Sequence, residues 1–198
     1  MLIVRHAARL ALVALVALAC AGPSLAELTV GQPAPDFTLR DLDGNEVSLA
    51  AHKGKTVVLE WINPNCPFSL RHSKEKTMQT TADKHEGVVW LGINSTNPTH
   101  RDHLEPAAYK AFLAENGIRY PVLDDGAGDV GRAYGAKTTP HMYVIDPEGK
   151  LTYAGAIDDD PRGGSAKVNY VDAALTAMAT GQTPDPASTR PYGCTVKY

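Results

Sequence analysis

Cys66 sits at a junction that leaves little choice about the fold around it. The run Thr56-Val57-Val58-Leu59 ahead of it is apolar, rich in β-branched residues and about one strand long, which reads as a buried strand. Asn63, Pro64 and Asn65 break that strand. From Pro67 the chain reads as a long helix to about His85, with Phe68, Leu70 and Met78 as apolar contacts. Proline is tolerated in a first helical turn because no N–H is needed there. Cys66 is thereby placed at a helix N-terminus, where free N–H groups and the helix dipole favour a thiolate. A buried cysteine acting as a small hydrophobe is the plain alternative.

The chain of 198 residues opens with Arg5 and Arg9, an apolar run from Leu10 to Ala21, and the small residues Ser24 and Ala26 around Leu25. This is the pattern of a secretory signal peptide, residues 1–26, with cleavage after Ala26. Its apolar core is short for a membrane span, so no stable membrane insertion is expected after cleavage. Ala17-Leu18-Ala19-Cys20 resembles a lipoprotein box only loosely, with Ala17 where leucine is expected. The expected destination is the periplasm or the extracellular space. Losing two arginines leaves 17 basic against 22 acidic residues, which argues against a nucleic-acid partner. Cys20 leaves with the signal, so two cysteines remain, Cys66 and Cys194, in a compartment that permits a disulfide.

Residues 27–180 fit one domain and residues 181–198 a Pro-rich tail carrying Cys194. Two short strands flank the turn Asp43-Gly44-Asn45, and Val88–Ile93 reads as a parallel strand covered on both faces. Residues 94–105 form a polar loop with His100 and His103. Pro106 opens a helix with Ala107, Tyr109, Phe112 and Leu113 on its apolar face, closed by Asn116-Gly117. Asp129 is placed to cap a brief helix to Tyr134. Met142–Asp146 and Leu151–Gly155 make a hairpin, and a last helix spans about Val168–Thr180. The order of elements specifies an α/β fold: a central mixed β-sheet flanked by helices, with an N-terminal β-hairpin and an extended C-terminal tail.

Three landmarks then resemble the thioredoxin-like redoxins. Val30-Gly31-Gln32-Pro33-Ala34-Pro35-Asp36-Phe37-Thr38-Leu39 is similar to their entry sequence, Trp61 with Cys66-Pro67-Phe68-Ser69 to their active-site turn, and Thr138-Thr139-Pro140 to their threonine–cis-proline loop. The chain is similar in particular to the peroxiredoxin-like (AhpC/TSA) branch with one cysteine at the first position of the Cys-x-x-Cys motif. Gly193-Cys194-Thr195-Val196-Lys197-Tyr198 resembles a tail found there. Ser69 stands where dithiol members carry a second cysteine, while Asn63 and Leu59 replace the threonine and proline of the peroxide pocket. The resemblance implies a thioredoxin-like fold, a cis Pro140, and a loop of Thr139, Pro140 and His141 that faces Cys66.

The expected function is that of an exported thiol oxidoreductase in which Cys66 attacks a disulfide or a peroxide and Cys194 resolves the product. Its partners are then a thiol or disulfide protein, or a small peroxide, with the electron donor unidentified. The tail can reach: thirteen residues from Gly181 span about 43 Å, against a domain diameter near ~40 Å. Cys194, without a helix dipole, is expected to titrate as an ordinary thiol. His141 can act as an imidazolium that lowers the thiol pKa, or as a neutral base, or simply start a strand. Glu60, six residues before Cys66, is either a proton relay through water or a strand-end carboxylate with an ion-pair partner. Arg71 and His72 are expected on a solvated helix face. No cofactor or resident metal is expected. Two other functions stay open: copper binding or chaperoning by Cys66 and His141 with the help of His100 or His103, and a non-catalytic domain stapled by a permanent Cys66–Cys194 bond worth roughly 5 kcal/mol.

Overall fold

The computed structural model describes residues 28–198. The expected signal peptide, its cleavage site after Ala26, and Cys20 lie outside the described residues. Among these residues no helix is long and apolar enough to cross a membrane.

The core is a seven-stranded mixed sheet in the order β2-β1-β5-β4-β3-β7-β8. Its strands are β1 (Thr38–Asp41), β2 (Glu46–Ser48), β3 (Val57–Trp61), β4 (Val89–Asn94), β5 (Val122–Asp124), β7 (His141–Ile145) and β8 (Leu151–Gly155). Two further strands, β6 (Thr138–Thr139) and β9 (Cys194–Thr195), form a separate antiparallel pair. The helices are α1 (Pro67–Glu75), α2 (Thr77–Lys84), α3 (Pro106–Glu115), α4 (Asp129–Tyr134) and α5 (Tyr170–Ala179).

β3 lies parallel to β4 and antiparallel to β7, and all five of its residues are buried. Successive side chains of a strand point to opposite faces. Val57, Leu59 and Trp61 accordingly join Leu91, Ile93, Tyr134, Tyr143 and Ile145 in one cluster. Val58 joins Met78, Trp90, Met142, Val144, Val171 and Leu175 in another, beneath α2 and α5. Burial on both faces is what the continuous apolar reading of this strand required.

Three local expectations are corrected. The long helix after Pro67 is two helices, broken at Lys76, which is left-handed (φ 58°, ψ 30°) and whose N–H closes onto the His72 and Ser73 carbonyls. Asp129 is the first residue of α4 and caps nothing with its side chain; Gly128 holds the N-cap position. The Asp125 carboxylate takes over, accepting from the N–H groups of Val130 (3.1 Å) and Gly131 (2.8 Å). Of the apolar face expected on α3, Tyr109 is buried but Ala107 is exposed.

The tail is less irregular than its composition implies. The Thr189 N–H donates to the Ala154 carbonyl (3.1 Å) and that of Val196 to Lys137 (3.2 Å). The Lys197 carbonyl accepts from the Asn97 N–H (2.7 Å), and the Tyr198 hydroxyl donates to the Ala136 carbonyl (2.8 Å). Between these anchors Cys194 lies opposite Thr139 in the β6–β9 pair.

Candidate active site

Asn63 shapes the turn that delivers Cys66. Its carbonyl accepts the Cys66 N–H (3.0 Å), its Oδ1 accepts the Asn65 N–H (2.7 Å), and its Nδ2 donates to Thr96 Oγ1 (2.9 Å). Cys66 then occupies the N-cap position of α1 with Pro67 as the first helical residue. Its carbonyl accepts the Leu70 N–H (2.9 Å), and its thiol donates to the Thr139 carbonyl at 2.9 Å. The Thr139–Pro140 peptide is cis. The loop therefore faces Cys66 as the sequence led us to expect.

Cys194 completes the site. Both cysteines are free thiols, and Cys194 lies close enough to Cys66 for each to shift the ionisation of the other. Burial opposes ionisation of Cys66, which is only 3 % exposed. Hydrogen bonding with the Cys194 and Thr139 side chains and with the Ser69 and Cys194 N–H groups outweighs it and holds the thiol below its ordinary value. The Ser69 N–H belongs to the first turn of α1, so the helix N-terminus contributes as its position implied. Cys194 is pushed up to about 11 by burial, by donating its own proton to Cys66, and by the charge on Cys66, with Lys197 pulling the other way. It is therefore not the ordinary thiol expected from its sequence setting.

His141 begins β7 opposite Trp61, buried. Its Nδ1 accepts the Lys137 N–H (3.2 Å) and lies 3.0 Å from the Tyr143 hydroxyl. Burial, then the charge of Lys137, lowers its pKa to about 3, so the ring is neutral. Of the alternatives the sequence left open for His141, the imidazolium is thus absent at neutral pH, and the lowered thiol owes its shift to the hydrogen bonds above.

Glu60 is 1 % exposed on β3, and its Oε2 accepts from Trp90 Nε1 (3.1 Å) and the Tyr120 hydroxyl (2.6 Å). It is not the ion-paired strand-end carboxylate that the sequence allowed. Burial raises its pKa to about 7, against the pull of the Tyr120 and Trp90 bonds. A buried acid with a pKa near neutrality can take up and give back a proton at physiological pH.

Arg71 and His72 also depart from expectation: His72 is fully buried and Arg71 is partly so. They join Tyr192 and Asp158 in a polar cluster that sequence reasoning missed. The one available signal was an aromatic residue two positions before Cys194 in a tail otherwise poor in apolar side chains. His100 and His103 pair with Asp102 (3.7 Å) and Glu105 (3.8 Å). Among the described residues no group of three or more His, Cys, Asp or Glu converges as a metal site.

A mixed sheet that carries a cysteine to a helix N-terminus opposite a threonine–cis-proline loop defines a thioredoxin-like redoxin. The AhpC/TSA family matches residues 30–154, and the chain belongs to that family. It is similar to the thiol-disulfide oxidoreductase ResA of Bacillus thuringiensis subsp. konkukian, 26% identical over 129 residues, covering 63% of this chain and 68% of that one. A Mycobacterium tuberculosis protein, provisionally named a peroxiredoxin, is 28% identical over 137 residues, covering 67% and 80%. Among solved structures, an uncharacterized conserved protein from Geobacillus kaustophilus superposes with a TM-score of 0.78 at 30% identity, covering 86% of this chain and 93% of that one.

Proposed function

We propose that the protein is an exported thiol oxidoreductase in which Cys66 is the nucleophile and Cys194 the resolving thiol. The observation that carries this reading is the placement of Cys194 in β9 opposite Thr139, the residue whose carbonyl the Cys66 thiol binds, with the Cys66 pKa lowered and that of Cys194 raised to about 11. A nucleophile must be a thiolate to attack, whereas the second thiol need only be at hand.

With a disulfide substrate, the Cys66 thiolate attacks one sulfur, a Cys66–substrate bond forms, and the other substrate sulfur leaves as a thiolate. Cys194 then gives up its proton and attacks Cys66, the Cys66–Cys194 bond forms, and the second substrate thiolate departs. With a peroxide, Cys66 becomes a sulfenic acid as water or an alcohol leaves, and attack by Cys194 expels water. An external dithiol restores both thiols in either case.

The Thr139 carbonyl accepts the Cys66 S–H in the resting state, and Pro140, which carries no N–H, adds no competing donor. His141 secures the turn from Lys137 to Pro140 by accepting the Lys137 N–H. Glu60, a buried acid whose pKa is raised to about 7, is the proton store in this reading. The likeness to a protein named as a thiol-disulfide oxidoreductase supports disulfide chemistry, and residues 1–26 support export.

The test is a trap. In a Cys194→Ala variant a small disulfide should leave a stable mixed disulfide on Cys66, identified by mass spectrometry, and Cys66→Ser should lose turnover. A Cys66→Ser protein with undiminished turnover overturns the assignment.

A further inference from the structure

Cys194 is held over Cys66 by something other than its two-residue strand. Two positions upstream, the Tyr192 ring packs against α1, 6.0 Å from Phe68 and 6.1 Å from His72 between centroids. Its hydroxyl donates to Asp158 Oδ1, lies 2.9 Å from His72 Nε2, and accepts from Arg71 Nη2 at 3.2 Å. The far side of the cluster is also fixed. His72 Nδ1 lies 3.1 Å from Thr77 Oγ1, and Arg71 Nη2 also donates to the Asp160 carbonyl (3.1 Å). Asp158 is buried as well.

Burying an arginine, a carboxylate, a histidine and a phenol together is expensive unless each is bonded to the others. Yet the hydrogen bonds of the four run to one another and to Asp160 and Thr77, not to either thiol. Their placement gives the reason. α1 carries Cys66 at its N-cap and Arg71 and His72 in its second turn, while the tail carries Tyr192 and Cys194 two residues apart. A bond between Tyr192 and α1 therefore fixes the tail to the very helix that presents the nucleophile.

We propose that Tyr192 is a positioning residue for the resolving step, its hydroxyl clamped by Arg71, His72 and Asp158 so that Cys194 stays in contact with Cys66. This rests on the reading of Cys194 as the resolving thiol. A thiol held in place reacts as though at a high local concentration, and a loosened tail dilutes it without changing either sulfur. Loosening also withdraws the Cys194 hydrogen bond from Cys66.

The test uses the full chain and two readouts that a merely structural role would not move together. Wild type and Tyr192→Phe are equilibrated in glutathione buffers, and the Cys66–Cys194 disulfide is quantified by mass spectrometry. The pH midpoint for iodoacetamide alkylation of reduced Cys66 is measured in parallel. Tyr192→Phe keeps the ring on Phe68 and removes one oxygen. It should lower the effective concentration of Cys194 at Cys66 by about tenfold or more and move the Cys66 midpoint upward. Asp158→Asn, which weakens the acceptor while keeping its shape, should shift both in the same direction. Wild-type values for both readouts in both variants overturn the proposal and leave the two-thiol reading standing. Failure of the wild type itself to form the bond in any buffer removes that reading and the proposal with it.

Discussion

A methyl group on Gly193 would lie 2.2 Å from the Thr139 carbonyl oxygen, so the tail crosses the cis-proline loop where no side chain fits. Gly193 also has φ 143°, a conformation that other residues avoid. Gly193→Ala should therefore lift β9 from β6 while leaving the sheet intact, since the tail adds only Val196 and Tyr192 to the edges of its clusters. The expected cost is about 1–3 kcal/mol, with faster hydrogen exchange at β9 and slower closure of the Cys66–Cys194 bond. Unchanged exchange at Thr195 would show that the tail docks without this close approach.

The two thiols should separate on titration. Cys66 should alkylate with a midpoint below that of an ordinary thiol, and Cys194 with one near 11. Cys194→Ala removes the thiol donor and should move the Cys66 midpoint up. Coincident midpoints for the two wild-type thiols would contradict the division of roles.

Glu60 should make stability fall as pH rises. Its folded pKa of about 7 lies above the ordinary 4.5, so the folded state holds its proton more tightly than the unfolded chain. Its destabilising effect is absent below about pH 4.5, grows between 4.5 and 7, and reaches roughly 3 kcal/mol above that. His72 and His141 act in the opposite sense. Burial depresses their pKa values to about 4 and about 3, so their contribution increases as pH rises toward 6.5. The difference between wild type and Glu60→Gln isolates the carboxyl: in urea unfolding, the variant should gain on wild type from pH 5 to 8. Parallel curves would exclude a raised Glu60 pKa.

In the oxidised protein, reduction should begin at Cys194. That sulfur is half-buried where Cys66 is 3 % exposed, and attack on it expels Cys66, the thiolate of lower pKa and hence the better leaving group. Glutathione quenched early in the reaction should be found on Cys194. Its exclusive recovery on Cys66 would reverse this order.

Much of this architecture was legible because β3, β4 and β7 are continuous apolar runs and because Cys66-Pro67 and Thr139-Pro140 announce their turns. The break at Lys76 was not, since nothing in a lysine marks a left-handed residue, and the closing bonds come from backbone groups. The α4 cap was misread because Asp125, four residues before Asp129, reaches forward from a loop. The burial of Arg71 and His72 was hidden for a different reason. The partners that make it tolerable, Asp158 and Tyr192, lie more than 80 residues away in sequence and meet them only when the tail docks. Glu60 was found on the right strand, but its neighbours Trp90 and Tyr120 depend on sheet register and could not be read ahead.

The most direct test of the account is a peptide map of the wild-type protein through one redox cycle. Reduced protein is treated with one equivalent of a small disulfide, quenched with N-ethylmaleimide and digested, and a second aliquot is returned to dithiothreitol before quenching. The account predicts a Cys66–Cys194 cross-linked peptide in the first aliquot and two alkylated thiols in the second. A cross-link that never forms, or one that survives dithiothreitol in the folded protein, would contradict it.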